Sequence, residues 1–181
     1  MKRPTPRFVC LAFGWLLSAS SMAAEAPDQF TTALFDGQTL AGWHVAGCEA
    51  SVKDGAIAID AGNGLLRTDA RYTDFVLELE WKALRPGRWD SGIYFRAELP
   101  PEGVPWPKRY QANLLKGMEG NVGGLEGATS EGLTKPGEWN HFKLSVVGTT
   151  AAMEINGQPA WKADGLPLVT GPGSGSGIRN R

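Results

Sequence analysis

Alternation of apolar and polar residues dominates the chain from about residue 33 onward, and helical periodicity is almost absent there. The cleanest stretch is "FVLELEWKA": Phe75, Leu77, Leu79 and Trp81 fall on one face, Val76, Glu78, Glu80 and Lys82 on the other. Successive side chains of a strand point to opposite faces, so the first set predicts a core face. Comparable short runs, bounded by Gly, Pro, Asn and Asp, predict strands over 33–36, 43–46, 49–53, 56–60, 64–67, 74–83, 91–98, 109–115, 121–126, 140–147, 151–155 and 159–162. Asp54-Gly55 in "KDGAIAID" and Asn156-Gly157 in "INGQPA" are two-residue hairpin signals. The whole pattern predicts an all-β antiparallel sandwich.

Two stretches break the alternation. "ELPPEGVPWPKRY" carries four prolines between two strands, and a residue without an N–H cannot sit in a central strand, so it predicts a loop. Long ordered loops in compact domains are often functional. "GPGSGSGIRNR" has the composition of a Gly/Ser linker and predicts a flexible or atypical tail over 173–181.

The first 23 residues belong to a different class. Lys2, Arg3 and Arg7 form a basic start, Phe8 to Leu17 a short apolar run, and "SMA" at 21–23 a small-residue cleavage site. This is the layout of a secretory signal peptide over 1–23, its apolar run too short for a membrane span. Cys10 lies near the start of that run rather than after it and is badly placed for lipidation. Cleavage takes three of the 18 Lys and Arg and none of the 19 Asp and Glu, leaving 15 against 19 and a net charge of −4. Binding to nucleic acid or a membrane surface has no electrostatic support in such a chain. One cysteine remains, Cys48, so an intrachain disulfide is excluded, and about 150 residues suffice for one domain with its own core. A periplasmic or secreted soluble domain over 27–172 is the expectation.

Candidate chemistry lies on the polar side of three strands. In "DSGIYFRAE", Ser91, Ile93 and Phe95 suit a core, while Tyr94, Arg96 and Glu98 point the other way. "RYQANLL" exposes either Gln111 and Asn113 or Tyr110 and Ala112; if its apolar set faces inward, the amides join the polar face. A sheet bearing acids, cations, amides and a tyrosine, beside loops holding Trp89 and Trp106, suits a carbohydrate, whose C–H faces stack on aromatics and whose hydroxyls pair with amides and carboxylates. The competing reading is an ordinary solvated sheet held by opposite charges across strands. Trp43, Trp81, Trp139 and Trp161 read as core or edge packing. His44 and His141 are far apart with no ligand-spaced companion, which argues against zinc. "GNVGGLEG" reads as turns, and the chain has no serine nucleophile elbow.

Taken in order, "LFDGQTLAGWHV", "LLRTDARYTDFVLELEWKA", "DSGIYFRAE", "RYQANLL" and "KPGEWNHFKLSVVGTTAAMEINGQ" resemble the 3-keto-disaccharide hydrolase domain over about residues 33–172. The resemblance implies a concanavalin A-like (jelly-roll) β-sandwich with its site on a concave sheet. It also implies an exported hydrolase or lyase that cleaves glycosides whose C3 hydroxyl is already a ketone. By the same resemblance Glu80, Asp90 and Arg96 are the candidate catalytic residues and Gln111 and Asn113 candidate substrate-binding ones, joined by Trp89, Tyr94 and Trp106 from the polar face and its loops. Lys82 replaces the family's arginine, Asp90 its usual asparagine, and Gln111 and Asn113 its Glu and Gln. The family's closing strand reads as missing or altered after Gly171-Pro172.

The chemistry fits those residue types. A 3-keto group acidifies the C2 hydrogen, so a carboxylate removes it while a cation steadies the enolate oxygen. The C1 substituent then leaves and water adds. No metal ligands are assigned, though a divalent metal could serve as the electrophile. The alternative is a non-catalytic carbohydrate-binding module on the same sandwich.

Overall fold

Both hairpin signals close as the sequence predicts. Asp54 and Gly55 have φ of 50° and 75°, and Asn156 and Gly157 have 52° and 76°. Positive φ at both central residues matches the twist of the flanking strands, and Asn, Asp and Gly tolerate it best. The computed structural model describes residues 32–168 and 175–180; the signal segment of 1–23 lies outside them.

These residues form nine strands: β1 Trp43–Lys53, β2 Ala56–Thr68, β3 Phe75–Trp81, β4 Ser91–Ala97, β5 Gln111–Asn113, β6 Asn140–Val147, β7 Thr150–Ile155, β8 Gln158–Asp164 and β9 Gly175–Asn180. They pair into two sheets, β1-β2-β9-β4-β5 and β3-β6-β7-β8, with antiparallel partners throughout. Ile93, Phe95 and Ala112 of the first sheet share one buried cluster with Phe142, Leu144 and Val146 of β6 and Ala151, Met153 and Ile155 of β7. Phe75, Leu77, Leu79 and Trp81 pack against it, as the alternation of β3 requires. The fold is the predicted all-β sandwich.

Four expectations need correction. Residues 33–36 form no strand; Asp36 turns the chain instead, its carboxylate accepting from the backbone N–H groups of Gln38 and Thr39 at 2.7 and 2.6 Å. Residues 121–126 contribute only a bridge between Val122 and Ala112. Runs 49–53 and 64–67 are parts of longer strands, because β1 continues past Gly47 and β2 through "GNG" by bulging rather than stopping. There a Cβ on Gly64 would stand 2.1 Å from the Ala46 carbonyl oxygen. Only glycine allows that approach.

The largest correction is at the end of the chain. Residues 175–180 are not a loose tail but strand β9, inserted between β2 and β4. Ladder hydrogen bonds come from the main chain, so a Gly/Ser-rich segment can pair on both sides with few side chains to bury. The chain therefore has a closing strand.

Candidate functional site

The face of the first sheet that turns away from the core can be read from register alone. His44 opposes Arg67, Arg67 opposes Gly177, Gly177 opposes Tyr94, and Tyr94 opposes Gln111. The neighbouring row runs Ala46, Leu65, Arg179, Gly92, Asn113. Residues opposite one another in a sheet share a face, so these rows form one surface spanning all five strands. The open alternative for "RYQANLL" is thereby resolved: Tyr110 and Ala112 are buried in the core and Gln111 and Asn113 belong to the polar rows.

Tyr94, Leu65 and Ala97 make a small buried cluster on this face, and Trp106 of the proline-rich loop packs against it. The aromatic that the loop composition singled out thus packs against a cluster on this face. Gln111 lies across Gly92, where a Cβ would meet its Nε2 at 1.9 Å, and that Nε2 donates to the Ser91 carbonyl at 3.1 Å. The amide is held by its nitrogen, and its oxygen can accept from a ligand hydroxyl. Pairing of the β4–β5 region runs past the strand ends, with the Lys116 N–H on the Trp89 carbonyl at 3.2 Å. Extended pairing to that point keeps Asp90 on the parity of Gly92 and Tyr94.

Arg96 is not on this face. β4 bulges between Tyr94 and Ala97, and Arg96 takes a φ of 50°. The extra residue reverses the local parity. Its side chain, 1% exposed, runs to the second sheet: Nε donates to the Thr73 carbonyl at 3.1 Å, Nη1 to that of Pro167 at 3.0 Å, and Nη2 to the Gly148 carbonyl and Asp74 Oδ1 at 2.9 Å. The guanidinium is consumed as a clamp between the sheets, so its expected place on the site floor is corrected.

Glu80 is also displaced. β3 belongs to the second sheet, and Glu80 stands exposed on its outer side opposite His141. Its neighbours form a charge ladder, His141 to Glu78 at 3.6 Å, Lys143 to Glu78 at 3.8 Å and Lys143 to Glu154 at 3.9 Å. For this face the solvated reading wins, and Glu80 and Arg96 do not meet.

Trp89 has the opposite parity to Tyr94. Its ring lies under Lys116 Nζ at 5.3 Å, and with Trp81 and Asn140 it lines a narrow depression between the β3–β4 loop and residues 134–137. Both indole N–H groups there are buried without a hydrogen-bond partner among the described residues. Trp161 packs as expected, its indole donating to the Gly120 carbonyl at 2.9 Å, whereas Trp139 is 52% exposed. Asn140 of "GEWN" explains that motif better: buried, it ties Lys135 and Glu138 to the Asn156 turn.

His44 and Arg67 share this face and were not among the candidates read from the sequence. The available signal was the alternation "LLRT", where Arg67 follows Leu65 on the same parity, but only the pairing of β2 with β9 and β9 with β4 places it beside Tyr94. Among the described residues no group of three or more His, Cys, Asp or Glu is placed to hold a metal ion.

The comparisons with known proteins agree with this architecture. Two solved structures align over most of the chain: a candidate glycosyl hydrolase from Parabacteroides distasonis, at 17% identity, TM-score 0.61, 82% of this chain and 86% of that one, and the carbohydrate-binding module CBM66 from Bacillus subtilis, at 15% identity, TM-score 0.57, 76% and 86%. At such identities the likeness is one of fold. No curated protein matches the sequence. The sequence profile of the 3-keto-alpha-glucoside-1,2-lyase-like domain matches residues 31–173, which takes in eight of the nine strands, and the chain belongs to that carbohydrate-related family.

Proposed function

We propose that the protein cleaves 3-keto-glycosides on the outer face of the first sheet. The observation that carries this reading is the convergence of Tyr94, Trp106, Gln111 and Asn113 on one surface, with Asp90 just before β4 where the pairing continues at the same parity. Trp106 offers an apolar ring for the C–H face of a sugar, and the two amides offer paired donors and acceptors for its hydroxyls. Asp90 takes the C2 proton as general base. The electron pair moves into the C2–C3 bond and the ketone becomes an enolate; its return expels the C1 oxygen with the bonding pair, and water adds across the enone. The leaving oxygen takes up a proton, so atoms and charge balance. We further propose that the protein works after export, with residues 1–23 removed.

The test is release of the aglycone from a 3-keto-glucoside by the purified mature protein, compared with Asp90→Asn. The amide variant should turn over about a hundredfold to ten-thousandfold more slowly, as loss of a general base does. Equal rates would remove Asp90 from the mechanism.

A second reading has its own observation. Glu80 and Arg96, two of the three expected catalytic residues, both lie off this face. A carbohydrate-binding module would need neither. Binding of an unoxidised glycan, abolished by Trp106→Ala and unaccompanied by turnover of any 3-keto-glucoside, would establish it. N-terminal sequencing of the exported protein should find Ala24 first.

A further inference from the structure

We infer that Arg67 is the cationic group that holds the C3 oxygen of the substrate, in the role the sequence suggested for Arg96. The inference rests on the sugar-handling reading of the first sheet's outer face. Arg67 is half-buried on β2, and its side chain has neither a hydrogen bond nor an ion pair among the described residues. A half-buried arginine whose guanidinium has no protein partner is open to an oxygen from a ligand, with which it pairs by charge-assisted hydrogen bonds. The eight described positions of the two rows, His44, Ala46, Leu65, Arg67, Gly92, Tyr94, Gln111 and Asn113, include no carboxylate that could serve. Those positions supply no counter-ion, and a ligand oxygen bearing negative charge would complete them.

The register fixes where that oxygen lies. Arg67 and Tyr94 are both partners of Gly177, so they flank a strand position without a side chain. Two inter-strand spacings separate them, roughly 10 Å, leaving a gap that a sugar ring can bridge. Trp106 packs against the cluster that contains Tyr94, and His44 extends the row beyond Arg67 as an exposed donor. A pyranose resting against Trp106, with its amide contacts at Gln111 and Asn113, would direct an edge across Gly177 to Arg67. When the C2 proton leaves, negative charge develops on the C3 oxygen, and a guanidinium beside it stabilises that charge more than it stabilises the neutral ketone.

The experiment measures kcat and KM on a 3-keto-glucoside, and separately the exchange of its C2 hydrogen with deuterated water, for wild type, Arg67→Met, Arg67→Gln, Arg67→Lys and Trp106→Ala. The Met and Gln variants should lose about a hundredfold to a thousandfold in kcat, as removal of an oxyanion donor does, with C2 exchange slowed in parallel and melting temperature little changed. Lys should restore part of the loss. Trp106→Ala should raise KM. Wild-type kcat and C2 exchange in either neutral Arg67 variant, with Trp106→Ala still impaired, would overturn the role of Arg67 and leave the face intact. If Trp106→Ala were also unimpaired, the site reading and this inference would fall together.

Discussion

At the scale of single residues, Arg96 shows how one bulge reassigns a side chain. A left-handed conformation costs a residue with a Cβ about 1–2 kcal/mol, and Arg96 holds it because four oxygens from three segments beside the second sheet receive its guanidinium. Arg96→Met would leave those acceptors unserved and the clamp open. The expected loss is about 3 kcal/mol or more, measured by denaturant unfolding. Asp74→Asn should cost less, since Asp74 is 55% exposed and screened by water. Glu80→Gln should change stability by within about 0.5 kcal/mol and leave turnover at the wild-type rate, because this exposed carboxylate stands on the second sheet, away from the proposed site. A large drop in turnover with Glu80→Gln would place the site on the other sheet.

Among the elements, β9 and the β1–β2 pair make the strongest demands. β9 supplies ladder partners to both β2 and β4, so a chain ending at residue 172 would present two unpaired strands in the middle of its sheet. Such a truncation should lose cooperative unfolding or aggregate; amide exchange in β9 of the intact chain should be slow. Gly64→Ala should be severely destabilising for a local reason, the Cβ meeting three backbone atoms of Ala46–Cys48 within 2.6 Å. The Asp36 turn makes a pH-dependent contribution. Backbone N–H groups of Thr39 and Gln38 hold its carboxyl below the ordinary 3.8, so the turn is supported above that value and weakens as pH falls through the lowered one. A carboxyl titration of Asp36 by NMR should have its midpoint below 3.8. The indole N–H of Trp43, which donates to the Leu34 carbonyl at 2.7 Å, should report the loss.

Taken as a whole molecule, the sandwich turns two unlike outer faces to solvent. The second sheet carries a ladder of exposed pairs at 3.6 to 3.9 Å. Pairs of that kind contribute about 0–1 kcal/mol each and are screened by salt. Melting temperature should therefore move little between low salt and about 1 M salt, where screening acts within a few ångströms. The first sheet carries amides, an aromatic pair and an arginine without an ion pair among the described residues. The two sheets share one core and divide the surface by chemistry.

Whatever depends on neighbours in the chain was legible before any fold was known. Side-chain alternation placed Phe75, Leu77, Leu79 and Trp81 against the core, turn chemistry placed both Asn/Asp-Gly hairpins, and proline content placed the Trp106 loop. The motif series identified the family, and with it the sandwich. Which strands share a sheet, and so which polar residues meet, was settled only by long-range pairing. Glu80 and Tyr94 both lie on outward parities, yet register puts one in each sheet, while β9 joins Arg67 to Tyr94 across 27 residues of chain. A one-residue bulge then sent Arg96 into the interior. Parity is a local property that a single inserted residue reverses, and pairing between distant strands is a choice that only the closed core can make.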